Sequence, residues 1–482
     1  MAQIFKLVRF MMTKATMTER TFNLVTPLAH KATAKRTTDT AGLDTRDRSG
    51  AVSLLTDCSS RQSDVDSVNK RSTRLTQITP GIRISTTETR TTTTRITSSA
   101  FAPSADQNLR PHADFYFEEL VQAYLDCRRN KRNKPSSLAF ELNLEANLCQ
   151  LDEELRNGTY RPGKSICFVI TRPKPREVWA ADFRDRIVHH LLYNRISPRF
   201  YAGFIADSCA CIPGRGTLYG AQRLEAKIRS ITQNWSKPAH YLKLDLANFF
   251  VSIDKNIVRD LLAKRITEPW WMQLAEQVLF HDPRDDFELR GDPELLRRVP
   301  QHKQLAKQPA SHGLPIGNLS SQFFANVLLD ALDQHIKHDL RCKHYVRYVD
   351  DMVLLHESPQ WLNAAKADIE AWLPKQLGLL LNPTKTILQP VDRGVDFVGQ
   401  VIRPWRRYTR RRTFNEAISR TSQMPADELF ETANSYFGLL RQATHSRHDR
   451  TQLANVLRRR GCCINKELTQ TYRKLAKTKE TL

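Results

Sequence analysis

Apolar positions dominate the stretch from Tyr345 to Leu355, and two acids, Asp350 and Asp351, sit inside it. The pattern predicts strands over Lys343 to Tyr348 and Met352 to His356, with Val349-Asp350-Asp351 as the turn of a β-hairpin. Upstream, Tyr241 to Leu246 alternates. Tyr241, Lys243 and Asp245 share one face of a predicted strand, with Leu242, Leu244 and Leu246 opposite. Helical stripes precede it: Phe115, Phe117, Leu120, Val121, Tyr124 and Leu125, then Leu142, Leu144, Leu148, Leu151 and Leu155, closed by Gly158. Ile166 to Ile170 reads as a buried strand, and Ile187 to Tyr193 as a helix in which one of His189 and His190 packs while the other faces outward. Asn318 or Ser320 can cap a long helix carrying Phe324, Leu328, Ala331 or Leu332, and Ile336. Trp270 to Ala310, with Pro283, Pro293, Pro300 and Pro309, looks like an irregular insertion with no assignable chemistry. Near the end, Leu429, Ala433, Tyr436, Leu439 and Leu440 predict a helix after the basic residues Arg406, Arg407 and Arg410 to Arg412.

Two adjacent carboxylates between hydrophobic strands are costly unless a cation neutralises them, and magnesium is the natural choice. A lone Asp-Asp in a turn is ordinary turn chemistry. A third acid on a neighbouring strand, Asp245, changes that reading, because three carboxylates are what two magnesium ions need for in-line phosphoryl transfer. The basic run Arg172 to Arg176 suits triphosphate or template phosphates, with a solvated charge run as the plainer reading of Lys174.

In their order along the chain, Leu242-Lys243-Leu244-Asp245 through Phe250, Gly313-Leu314-Pro315-Ile316-Gly317 and Tyr348-Val349-Asp350-Asp351 resemble the core motifs of a reverse transcriptase. Arg172 to Glu177 and Asp182 to Arg186 resemble its fingers segment, and Pro213 to Thr217 its template-contacting loop. The likeness covers roughly residues 110 to 482 and implies an α+β right-hand polymerase fold of fingers, palm and helical thumb. It implies Asp245, Asp350 and Asp351 as catalytic, metal-binding residues for two Mg2+ ions. Lys385, within Leu379 to Thr386, matches the proton donor to pyrophosphate. Lys174, Arg176, Phe250, Ile316, Gly317 and Gln322 fall at substrate-binding positions, Phe250 at the steric gate against ribonucleotides, and Phe397 and Gly399 in the primer grip. The loop reads Ile316-Gly317-Asn318-Leu319-Ser320-Ser321-Gln322 where most such enzymes have Gln-Gly followed by Ser-Pro. That departure, with Ala180 to Arg186 and Ser435 to Arg441, is similar to diversity-generating retroelements, whose enzymes copy a template RNA with errors at adenines so that the cDNA diversifies a target gene. The implied partners are template RNA, a cDNA primer-template duplex, deoxynucleoside triphosphates and a small basic accessory protein. Group II intron, retron and phage-defence enzymes are the related alternatives. From another class comes a nonenzymatic RNA-binding scaffold, which three intact clustered acids disfavour.

The chain has 482 residues, enough for two or three packed units, and 74 Lys plus Arg against 51 Asp plus Glu give net charge +23. That excess calls for a polyanionic partner, and nucleic acid is favoured over a membrane because no basic amphipathic anchor or long apolar run stands out. Nine scattered cysteines suggest reduced thiols and a cytoplasmic setting. Cys209-Ala210-Cys211 and Cys462-Cys463 lack the second ligand pair a zinc site needs. Residues 1–105 are rich in Thr, Ser, Arg and Lys and predict a disordered extension: a basic tail, a stretch upstream of the true start, or a transit peptide. The expected division is then 1–105 extension, 106–405 fingers and palm, and 406–482 thumb.

Overall fold

The computed structural model describes residues 113–472 apart from 130 and 173, so the expected extension at 1–105 lies outside the described residues. Helix α1 (Phe117–Arg128) buries Leu120, Val121, Ala123, Tyr124 and Cys127 along one stripe. The second predicted stripe is split into α2 (Pro135–Glu141) and α3 (Leu144–Arg156). Leu142, expected in the core, falls in the break and is 84% exposed, while Leu148, Leu151 and Leu155 are buried. Gly158, at φ +66, ends α3 in the left-handed conformation that glycine adopts freely.

Strands β1 (Ser165–Ile170) and β2 (Arg176–Ala180) pair antiparallel. β1 alternates in burial instead of being buried throughout, because only one face meets the core. Helix α4 (Phe183–Tyr201) begins with Asp182 accepting a hydrogen bond from the Arg184 amide and packs on α1. Its His189 is buried and His190 half-buried, and burial pushes their imidazoles down to about 3 and about 4, so both are neutral. Helix α5 (Thr217–Ile231) follows.

The central sheet starts with β3 (His240–Leu244), then come the short α6 (Phe249–Ser252), α7 (Lys255–Ala263) and α8 (Pro269–Phe280). α8 corrects the expectation of irregular chain from Trp270. Pro269 opens it, and Trp270, Trp271, Leu274, Ala275 and Leu279 bury one helical face. β4 (Phe287–Arg290) then pairs parallel to β1. A short α9 (Glu294–Arg297) and two 3-10 turns lead to the long, mostly buried α10 (Leu319–Gln334).

The hairpin is present as β5 (His344–Tyr348) and β6 (Asp351–His356), with Tyr348 opposite Asp351. Asp351 therefore begins the strand, and the turn is Val349-Asp350. Helix α11 (Pro359–Leu377) packs on β3 and β6, and β7 (Ile387–Pro390) completes an antiparallel sheet of order β5-β6-β3-β7. A smaller antiparallel sheet, β8 (Val395–Phe397), β9 (Gln400–Arg403) and β10 (Arg406–Thr409), covers it. Phe397 and Ile402 share a core with Leu224, Ile228, Tyr241 and Val353. The expected helical end is a three-helix unit, α12 (Arg411–Gln423), α13 (Ala426–Leu440) and α14 (Arg447–Arg459), whose core holds Phe414, Leu429, Ala433, Tyr436, Leu440 and Leu457. Leu439, expected with them, is 42% exposed. Among the described residues no helix is long and apolar enough to cross a membrane.

Candidate active site

Antiparallel pairing of β3 with β6 sets Leu244 opposite Met352, so the next step along each strand brings Asp245 beside Asp351. The turn adds Asp350. Val349 holds φ +54, an unfavourable conformation for a β-branched residue, and its carbonyl accepts a hydrogen bond from Arg347 Nη1 at 3.2 Å. Arg347 is itself fully buried, bound through Nε (2.8 Å) and Nη2 (2.6 Å) to Asp333 of α10 and through Nη2 to Ser208 Oγ (2.9 Å). The palm helix thus fixes the acid-bearing turn.

Each acid has a different environment. Asp245 is buried, with Lys385 Nζ 2.6 Å from both its oxygens and Asn382 Nδ2 donating at 3.2 Å. The backbone around it is also clamped, because the Asn382 amide donates to the Asp245 carbonyl (2.8 Å) and the Ala247 amide to that of Leu380 (2.8 Å). Asp351 lies 3.7 Å from Lys243 Nζ, which also donates to the Asp396 carbonyl. Asp350 is half-buried; burial, then the charges of Asp245 and Asp351, push its carboxyl up to about 6, with Lys385 opposing. Among the described residues no three acid, His or Cys groups stand close enough to share one ion as placed. Two lysines offset charge on Asp245 and Asp351, whereas for Asp350 the charge of Lys385 only partly opposes burial and the two neighbouring acids. An all-oxygen set carrying excess negative charge is the chemistry that hard divalent cations select.

The loop Gly313 to Gly317 bridges this end of the sheet to β2. The Leu314 amide donates to the Phe250 carbonyl (2.8 Å) and the Trp179 amide to the Ile316 carbonyl (2.7 Å). A side chain at Gly317, φ +127, would meet Val178 at 2.9 Å and the Trp179 carbonyl at 3.0 Å. Of the aromatic pair, Phe249 is buried and Phe250 half-buried. Ile316 is half-buried, and Gln322 is exposed on the first turn of α10. Asn318 occupies the N-cap position, but its side-chain oxygen accepts from the Ala181 amide (3.0 Å), which ties α10 to the end of β2.

Lys174 and Arg176 are both exposed beside β2. Arg215, in the expected template loop, turns inward and donates to the carbonyls of Ile205 (2.8 Å) and Ser208 (2.7 Å). Phe397 is fully buried and anchors a turn whose Val398 (φ +43) and Gly399 (φ +83) project past it. Sequence reasoning gave no role to Arg347, nor to Asn382 within the Leu379 to Thr386 stretch. An arginine inside an otherwise apolar strand was the available signal for Arg347.

A four-stranded antiparallel sheet with acids at the ends of adjacent strands, helices behind it, a second small sheet and a helical unit beyond define a right-hand polymerase fold. Residues 172–402 match the reverse transcriptase (RNA-dependent DNA polymerase) family model. Domains of this kind use divalent metal ions. Protein YkfC of Escherichia coli (strain K12) is 22% identical over 314 residues, 58% of this chain and 76% of that protein. Among solved structures, telomerase from Candida albicans in complex with a TWJ fragment of telomeric RNA gives TM-score 0.38 at 10% identity, covering 67% of this chain and 60% of that one. Apo telomerase from Candida tropicalis, truncated from the C-terminal domain, gives 0.37 at 13%, covering 54% and 59%. This chain therefore spans about three fifths of the telomerase chains it matches.

Proposed function

We propose that this chain copies a template RNA into cDNA, with Asp245, Asp350 and Asp351 as the residues that hold two Mg2+ ions. The observation that carries the reading is the convergence of these acids at one sheet end, with Asp350 pushed up to about 6 by burial and by its neighbours' charges. When bound, the ions lower the primer hydroxyl's pKa and stabilise the departing pyrophosphate. The chain's own groups do the rest. Lys385 keeps a proton at Nζ beside Asp245 and gives it to the pyrophosphate; Lys174 and Arg176 bind the triphosphate. Phe250 closes the space a ribose 2′-hydroxyl would occupy, Gly317 lets the backbone approach the nascent pair, and the Val398-Gly399 turn on Phe397 grips the primer.

Diversification of a target gene is the finer part of this proposal. Its support is the Ile316 to Gln322 loop: at Ile316 an aliphatic side chain, half-buried at the bridge to β2, replaces an amide able to hydrogen-bond near the nucleotide. Looser positioning lowers discrimination between bases. The partners on this reading are template RNA, a primer-template duplex, deoxynucleoside triphosphates and a small basic accessory protein.

The test is magnesium-dependent extension on a primed, adenine-containing RNA template, with products sequenced. Synthesis that disappears in Asp350→Ala and Asp351→Ala, with errors concentrated at template adenines, is the expected result. Accurate synthesis would keep the polymerase and remove diversification; RNA binding without synthesis by the folded wild type would mean a required partner or the nonenzymatic scaffold.

A further inference from the structure

The segment between α8 and Gly313 reaches the active site from the fingers side. Its strand β4 runs parallel to β1, with Ser165 opposite Phe287 and Phe168 opposite Arg290, and two 3-10 turns, Gln301–Lys303 and Leu305–Lys307, bring the chain back. The return is pinned. The buried carboxylate of Glu177 accepts from the Leu305 amide (3.0 Å) and from Trp179 Nε1 (3.0 Å), and Leu305 packs with Cys167 and Trp179. Arg284 secures the same turn through the carbonyls of Leu305 (3.0 Å) and Gln308 (2.8 Å). Glu177 adjoins Arg176, and Leu305 is two residues from Lys303, so this contact brings the turn carrying Lys303 to the start of β2, where Arg176 stands.

Lys303 is exposed, as are Lys174 and Arg176. Partial burial of its ammonium and the positive charges of Lys174, Lys385 and Arg176 hold it below the usual lysine range, with Asp245 opposing. Within this group Lys385 has a carboxylate partner, Asp245, whereas Lys174, Arg176 and Lys303 form no ion pair among the described residues. Like charges held together by a hydrogen-bonded scaffold, with one acid among four cations, form a site for a polyanion of high charge density.

We propose that Lys303 is a triphosphate-positioning residue supplied by the segment between α8 and Gly313, acting with Lys174 and Arg176 on the incoming nucleotide. This rests on the polymerase reading above. A triphosphate fits better than a template backbone because one of the four cations, Lys385, is bound to Asp245, where the nucleotide reacts on that reading, and a compact anion can meet them together.

The experiment compares wild type with Lys303→Ala, Lys303→Arg and Lys307→Ala, the last an exposed lysine of the following turn. On a fixed primed RNA template, Lys303→Ala is expected to raise KM for deoxynucleotide about tenfold with kcat within about twofold, and to weaken inhibition by added pyrophosphate in parallel. Lys303→Arg should restore most of both, and Lys307→Ala should change neither. Unchanged KM and pyrophosphate inhibition would overturn the proposal, as would a loss confined to template affinity. Calorimetric binding of inorganic tripolyphosphate to the same folded proteins separates this from failure of the polymerase reading. Should wild type make no DNA, weaker tripolyphosphate binding by Lys303→Ala still supports the site, and equal binding sinks it.

Discussion

At the scale of single residues, Asp350 has the most exposed energetics. Its carboxyl has an ordinary value of 3.8 and sits at about 6 in the folded chain, so between those values the folded state keeps a proton that the unfolded state has lost. Stability from this group is therefore fully present below about pH 4 and is lost as pH rises through about 6. In chelator-treated protein, Asp350→Asn is expected to melt a few degrees above wild type at pH 8 and level with it at pH 4. Equal melting at pH 8 would mean that the charge is not strained. Asp350 and Asp351 were legible in the sequence because two adjacent acids inside an apolar run are costly without a cation, and Asp245 because alternation placed it on a face. Lys303 was not, since its position depends on a hydrogen bond from Leu305 to Glu177, 128 residues away in sequence.

At the scale of elements, hydrophobic periodicity predicted β3, the hairpin and α10, each of which buries a regular set of apolar side chains. It missed β4, whose Phe287, Glu288 and Arg290 are exposed and which is held by backbone pairing to β1. It also missed why the hairpin turn is held. Arg347 spans from Asp333 of α10 to the carbonyl of Val349, so the turn carrying Asp350 is braced by a fully buried ion pair. Removing one partner of such a pair strands the other charge; Arg347→Met is expected to cost about 3–5 kcal/mol in urea denaturation. Adding Asp333→Leu should return most of that stability, because no charge is then left unpaired. It should not return extension activity, since the Val349 carbonyl still lacks its donor. Recovery of both together would show that the pair supports the fold and not the turn.

At the scale of the whole molecule, the interactions that build the site lie within residues 113–472: Lys385 on Asp245, Arg347 on the turn, Asn318 on Ala181 and Glu177 on Leu305. None of these needs residues 1–105, whose Thr, Ser, Arg and Lys content supplies charge without an apolar pattern. On the proposed function a polyanion is held through many positions while chemistry happens at one, so that the net +23 of the chain serves the first task and the acids the second. The two tasks are separable. Deleting residues 2–105 is expected to leave kcat for primed extension within about twofold at low salt, while removing part of the nonspecific affinity for RNA. For every phosphate of single-stranded RNA that the deletion leaves without a basic partner, the slope of log affinity against log salt falls by about 0.7, so the truncated chain should bind with a shallower salt dependence. An unchanged slope would mean that the basic extension does not touch nucleic acid. Abolished extension activity with folding retained would mean that residues 2–105 contribute to the site itself, and the division of labour between charge and chemistry would have to be redrawn.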